Sequence, residues 1–174
     1  ARRISEPGAV TELLSDAVQR GLCSVSALAR EVDSTQRRGT AVPRRILHDV
    51  KDGVRSAAER DAKRLWARSG LPEPWWNAPV HDSRGRLLGV ADAWFDGVAL
   101  AWEINSVEWH LSAEDYAREQ ERTARFVAAG ALVLPTQPRR QRREPRAVVG
   151  ELCAAHAQAA LRPRPPLHAR RAAS

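Results

Sequence analysis

The middle of the chain shows the clearest alternation of apolar and polar positions. Residues 77–81, 87–94 and 98–104 are rich in strand-forming side chains and predict three successive strands. Turn residues separate these runs at 83–85 and again at 95–97, where Phe-Asp-Gly predicts a β-hairpin. Together these patterns predict a group of strands joined by short turns.

Helical patterns and one more strand surround this group. The capping box Ser56–Glu59 begins a predicted helix that ends at Gly70. A second capping box at 112–115 begins a charged helix that ends at Gly130. Residues 131–134 are wholly apolar, which is typical of a strand in the interior of a sheet. The chain therefore has the pattern of an α/β protein.

A last helix is predicted over 145–161, so the order from residue 56 is helix, three strands, helix, strand and helix. Hairpin-connected strands followed by a right-handed crossover predict a mixed four-stranded sheet with flanking helices over 56–161. Residues 162–174, rich in proline and arginine, predict a disordered tail. Residues 1–55 predict a small helical subdomain, either a helix-turn-helix element or a helical collar. Because methionine is absent even at position 1, we expect this subdomain to end a larger upstream region.

The charge balance bears on the choice of partner. Lys and Arg number 28 against 21 Asp and Glu, a net charge of +7 that favours a polyanion such as nucleic acid, although a solvated surface is the alternative. Cys23 and Cys153 lie far apart without metal-type spacing, which favours free thiols in a reducing compartment. No apolar run approaches the length of a membrane span and no signal peptide is visible. We therefore expect a cytoplasmic protein that does not bind membranes.

Two carboxylates stand in the second and third predicted strands. Asp92 and Glu103 each have mostly apolar neighbours. Because buried carboxylates are almost always paired or bound to a cation, this pair predicts a divalent metal with oxygen ligands, Mg²⁺ or alternatively Mn²⁺. Such a site points to phosphodiester chemistry. The structural alternatives are hydrogen bonds from turn amides to Asp92 and a salt bridge from Glu103 to an arginine.

The segment from Glu103 to His110, Glu-Ile-Asn-Ser-Val-Glu-Trp-His, together with Asp92 resembles the restriction-endonuclease-like superfamily. The pattern of that superfamily is Pro-Asp followed by Asp/Glu-x-Lys. More narrowly, the chain resembles the branch that contains very-short-patch mismatch repair endonucleases and related actinobacterial domains. The resemblance covers about residues 56–160. It implies an αβββαβ core and magnesium-dependent cleavage of DNA.

The resemblance also implies a role for five residues. Asp92 and Glu103 match the metal-binding acids, Glu59 matches the acidic residue of the first helix, and His110 matches the histidine of the repair branch. Asn105 stands where the superfamily usually has lysine, and an amide supplies hydrogen bonds but no charge. Two functions therefore remain: a magnesium-dependent endonuclease, or an inactive nuclease-fold module that binds DNA or regulates. Local roles compete at Glu59, as a cap residue, and at His110, as a packed side chain.

The region before this domain carries a second resemblance. Residues 8–55 resemble the segment that precedes such domains in actinobacterial proteins with an abortive-infection antitoxin-type winged helix. This implies a connection with a toxin–antitoxin type system and a protein partner bound through the upstream region. A homodimer is a further alternative.

Two groups of arginines are candidate contacts to DNA phosphates. Arg118, Arg122 and Arg125 recur at spacings of four and three on one helix face, although interleaved glutamates favour a salt-bridged surface. The second group is expected in a loop beyond the fourth strand, where no acid interrupts it and where the alternative is a solvated run. It consists of Arg139, Arg140, Arg142 and Arg143.

Overall fold

The computed structural model describes residues 7–20, 22–23, 25–34, 41–104 and 113–171. The helices are α1 Pro7–Gln19, α2 Val25–Ser34, α3 Ala41–Ser69, α4 Ala113–Ala128, α5 Pro138–Arg143 and α6 Pro145–Ala160. The strands are β1 Trp75–His81, β2 Leu87–Phe95, β3 Leu100–Ile104, β4 Leu132–Thr136 and β5 His168–Ala169. None of the described helices is both long and apolar enough to cross a lipid bilayer.

The chain divides into two compact units. One comprises Ala1–Ala58 with Ser106–Tyr116, and the other comprises Glu59–Asn105 with Ala117–Ser174. In the first unit, α1, α2 and the first part of α3 contribute the buried side chains of Val18, Val25 and Val50. The second unit holds the sheet.

The second unit is an α/β structure with a five-stranded mixed sheet in the order β4-β3-β2-β1-β5. Strands β3 and β4 are parallel, because α4 connects them as a crossover, and the remaining pairs are antiparallel. The predicted class, mixed sheet and flanking helices are thus confirmed, but the predicted count of four strands is wrong. Strand β5 was missed because only two residues pair, in a proline-rich segment whose composition favours disorder.

The segment 162–171 is ordered, contrary to the predicted tail. Leu167 is 2% exposed within the core, and Val80 pairs with Ala169 in the sheet. The Arg164 guanidinium donates to the Asp96 carboxylate and backbone carbonyl. The segment has a weak propensity for regular secondary structure. It is held in place by the burial of Leu167 and by these hydrogen bonds.

Helices cover both faces of the sheet. Trp76 and Trp102 both lie opposite Ala93 and therefore share one face, where Trp66 of α3 completes a row of rings with centroids 6.3 and 6.4 Å apart. Trp94 lies on the opposite face, since consecutive strand residues alternate, and its ring stacks on Phe126 of α4. Helix α4 therefore covers the face that carries Trp94.

Two local predictions fail. The capping box at Ser56 starts no helix, because α3 is already helical from Ala41. The basic run predicted as a loop is the helix α5, which begins at Pro138, a residue well suited to a first helical turn. The predicted hairpin is confirmed, since β2 and β3 pair antiparallel, but its turn is a short 3₁₀ helix, Asp96–Val98, followed by Ala99 with a φ of 51°, so β3 starts at Leu100.

Candidate functional site

The sheet brings the two predicted metal ligands together. Ala93 of β2 pairs with Trp102 of β3, and the next position in this antiparallel register sets Asp92 opposite Glu103. Directly opposed residues point to the same face of a sheet. The Asp92 carboxylate also accepts a hydrogen bond of 2.7 Å from the backbone N–H of Ile104. Asp92 thus has a structural role at the end of the hairpin in addition to facing Glu103.

Glu103 is buried, with 1% of its surface exposed. The Arg122 Nη2 atom in α4 donates to its Oε2 atom at 2.6 Å, and Nη1 donates to the Val90 carbonyl at 2.8 Å. The Glu103 Oε1 atom is also buried and has no hydrogen-bond partner among the described residues. One oxygen of this carboxyl is therefore neutralised by an arginine, and the other remains available for a ligand.

The pKa of Glu103 is raised from 4.5 to about 8, mainly by burial and next by the negative charge of the neighbouring Asp92. The positive charge of Arg122 opposes both effects, and the backbone N–H of Asp92 opposes them more weakly. Glu103 therefore tends to hold a proton near neutral pH. A second cation beside the pair would favour its ionised form.

The donor atoms fit a hard divalent cation in part. Magnesium prefers oxygen ligands and usually keeps several waters, so Asp92 and the unpartnered Oε1 of Glu103 are suitable donors. Within the described ranges, no group of three or more histidine, cysteine, aspartate or glutamate side chains is close enough to hold a metal. A metal at this position would therefore depend on water or substrate for most of its ligands.

The structure describes only one of the three remaining residues that the resemblance assigned to the site. Asn105 and His110 lie outside the described residues. Glu59 lies in α3, the helix that packs through Trp66 on the sheet face opposite to α4. Because the Glu103 side chain contacts α4, it points to the face of the sheet opposite to the one that α3 covers.

The α4 arginines do not form one solvent-facing row. Arg122 contacts Glu103, and the Arg125 Nε atom donates to the Leu88 carbonyl at 2.9 Å. Close approach of Arg122 requires glycine at position 89, since a Cβ atom there would lie 2.8 Å from the Arg122 Cγ atom. Two of the three arginines expected to contact phosphate thus bind the sheet, while Arg118 is exposed. Sequence spacing placed them on one face but could not show that Arg122 and Arg125 bind atoms of the sheet.

The four arginines of α5 also differ in their contacts. Arg140 donates to Glu151 at 2.7 Å and to Glu144 at 3.0 Å. Arg139, Arg142 and Arg143 are exposed and make no ion pair with any described residue. These three arginines remain candidate contacts for an anionic partner.

Comparisons with known proteins add distant relatives without an assigned role. No protein-family model matches the chain, and no solved structure matches it. Two proteins of Mycobacterium tuberculosis, from strains CDC 1551 / Oshkosh and ATCC 25618 / H37Rv, are each 32% identical over 147 residues, and both are named only as uncharacterised. The match covers 83% of this chain and 53% of each relative. The chain therefore spans about half the length of the curated relatives it matches.

Proposed function

We propose that the chain has a restriction-endonuclease-like core, binds DNA and hydrolyses phosphodiester bonds with Mg²⁺, or alternatively Mn²⁺, at Asp92 and Glu103. The observation that carries this proposal is the buried Oε1 atom of Glu103, which faces Asp92 across the hairpin without a partner among the described residues. A metal ion would give this atom a partner and would favour the ionised form of Glu103.

Each residue has a defined task under this proposal. When bound, Mg²⁺ supplies a Lewis acid that polarises the scissile phosphate and lowers the pKa of a bound water. Asp92 is oriented by the Ile104 N–H, and Glu103 is oriented by Arg122. Glu103 must release its proton to serve as a ligand, so metal binding should strengthen as pH rises.

The remaining residues of the proposed site are assigned through the resemblance. His110 would move a proton, and Asn105 would donate hydrogen bonds to the phosphate. Glu59 has no task at the acidic pair, because α3 packs on the other face of the sheet. For DNA binding, the exposed residues Arg139 and Arg143 would contribute positive charge.

The second candidate is a nuclease-fold module that binds DNA or regulates without cleaving, within a toxin–antitoxin type system. A specific observation favours it: Arg122 already neutralises one oxygen of Glu103. An arginine in that position can replace a metal as the counter-charge of a buried carboxylate. Asn105, in place of lysine, agrees with this alternative.

Plasmid nicking distinguishes the two candidates. The wild-type chain should nick supercoiled DNA with Mg²⁺ or Mn²⁺ and not with EDTA, whereas Asp92→Asn should lose this activity. Glu121→Gln, which removes an acidic charge from an exposed position of α4, is the matched control and should retain it. Nicking that appears only in Asn105→Lys would instead show that the natural chain is an inactive module.

Metal binding can be measured without turnover. Titration calorimetry with Mn²⁺ should give heat with the wild-type chain and Glu121→Gln but not with Asp92→Asn. If all three proteins give the same heat, the acidic pair does not bind the metal.

A further inference from the structure

A second polar site lies between α3 and α5, in the unit that holds the sheet. A cavity of about 240 Å³ is lined there by Asp61, Arg64 and Arg68 of α3 and by Gln141 and Arg142 of α5. These elements are distinct from α4 and from the strands that carry the acidic pair. The cavity therefore belongs to a different surface of the molecule.

Gln141 is the unusual member of this lining. Only 3% of its surface is exposed, and neither its Nε2 nor its Oε1 atom has a hydrogen-bond partner among the described residues. A buried amide left in this state costs roughly 1–3 kcal/mol for each unpaired group. The amide therefore offers one donor and one acceptor, side by side, to a ligand that reaches it.

Three arginines also line the cavity, together with Asp61, Leu65 and Pro145. Arg64 is paired with Asp61 at 3.1 Å, but Arg68 and Arg142 are exposed and form no ion pair with described residues. Two guanidinium groups next to an amide favour a ligand that combines an anion with a neutral hydrogen-bonding edge. A nucleotide has both parts, a phosphate and a base.

The size of the cavity restricts what it can hold. Ligand pockets that enclose a drug-sized molecule measure roughly 300–1,000 Å³. At about 240 Å³ this cavity is smaller, so it suits one group of a longer ligand.

We propose that this cavity binds one nucleotide of a DNA strand, with the phosphate on Arg68 and Arg142 and the edge of the base on the Gln141 amide. The inference rests on the DNA binding proposed above and adds a contact that reads the base. A glutamine amide can form two hydrogen bonds with a base edge, whereas a guanidinium–phosphate contact carries no sequence information.

The test is binding of labelled single-stranded oligonucleotides dA12, dC12 and dT12 to the full chain, followed by fluorescence anisotropy over a range of salt. Arg142→Ala should weaken binding of all three by about tenfold and reduce the slope of log affinity against log salt by about 0.7. Arg143→Ala, which removes the same charge from the same helix outside the cavity, is the matched comparison and should weaken binding by less than about threefold.

Gln141→Met keeps the volume of the side chain and removes its hydrogen bonds. It should change the ratio of the three affinities by about fivefold or more while leaving the salt slope unchanged. Circular dichroism establishes that this variant is folded, and the exposed pair Arg142→Ala and Arg143→Ala tests the site independently of that result.

The outcomes separate this inference from the proposed function. If the wild-type chain binds the oligonucleotides but Arg142→Ala and Arg143→Ala weaken binding equally, and Gln141→Met keeps the ratios, the cavity is not the site and DNA binding stands. If the wild-type chain binds none of them at low salt, this inference is overturned, and the proposed function is then judged by plasmid nicking alone.

Discussion

The Glu103 site and the Gln141 cavity both hold a buried polar side chain with an unpartnered atom. The two regions differ in how the fold compensates for removing that side chain from water. Glu103 is charged when ionised, and the fold supplies an inward-facing arginine at 2.6 Å. Gln141 is neutral, and the nearby arginines remain exposed. An unpaired buried charge is far more costly than an unpaired amide, so the fold must provide a counter-charge only for the first. We therefore expect large, pH-dependent effects at Glu103 and small, pH-independent effects at Gln141.

The strongest test of this contrast is removal of the counter-charge. Arg122→Ala should lower the free energy of unfolding by about 3 kcal/mol at pH 10, because above its pKa of about 8 Glu103 is ionised and loses its cation. Urea denaturation measures the loss, and Arg118→Ala on the same helix should lose less than about 1 kcal/mol.

The double variant Arg122→Ala/Glu103→Gln sharpens the result. It should recover part of the stability lost in Arg122→Ala, since the uncompensated charge is gone. If Arg122→Ala is as stable as the wild type, the Arg122–Glu103 ion pair does not stabilise the fold. The proposed difference between the Glu103 site and the Gln141 cavity is then wrong. Mg²⁺ that raises the melting temperature of Arg122→Ala, but not of Arg122→Ala/Glu103→Gln, would show that a metal can take the place of the arginine.

The second test is the pH dependence of stability. The folded state keeps the Glu103 proton up to a pKa of about 8, whereas the unfolded state releases it near 4.5. The native state therefore binds more protons between these values, and its free energy of unfolding should fall as pH rises from 5 to 8. For one proton the slope approaches about 1.4 kcal/mol per pH unit.

Urea titrations at several pH values measure this slope. Glu103→Gln should remove most of the Glu103 contribution, and Asp92→Asn should reduce it, because the Asp92 charge helps to raise the pKa of Glu103. A wild-type slope that is unchanged in Glu103→Gln would mean that other groups cause the pH dependence.

The third test addresses the amide. Gln141→Met should raise the free energy of unfolding by about 1 kcal/mol in the absence of ligand, since an apolar side chain of similar size replaces unpaired polar atoms. The gain should be the same at pH 5 and pH 8, in contrast to the variants at Glu103. Destabilisation by more than about 1 kcal/mol would indicate that the amide has partners in the folded state.

The smallest effects are expected at the exposed arginines. Arg142→Ala and Arg143→Ala should each change the free energy of unfolding by less than about 0.5 kcal/mol. Thermal unfolding in the absence of DNA checks this. A larger change in either variant would make its DNA affinity unsuitable for locating the binding surface.

Much of the α/β unit could be predicted from local sequence. The alternation of apolar residues in β2 and β3 and the turn between them predicted the hairpin, and hairpin register then set Asp92 opposite Glu103. These are short-range relations, so the period of the pattern and the length of the turn suffice to determine them.

Partners distant in the sequence could not be predicted in the same way. Helical spacing placed Arg122 and Arg125 on one face, but only packing of α4 on the sheet decided that they bind the sheet, with Arg122 19 residues from Glu103. The short strand β5 and the burial of Leu167 likewise depend on the sheet edge that receives them.

The sequence by itself determined the fold class, most of the strands and the position of the acidic pair, because apolar periodicity and turn residues act over a few positions along the chain. The tertiary structure decided which arginine neutralises Glu103 and that both polar atoms of Gln141 are enclosed among the described residues without partners. Desolvation and pairing depend on atoms that meet only after the chain has folded, and that is why the same residue type binds the sheet at position 122 and faces solvent at position 142.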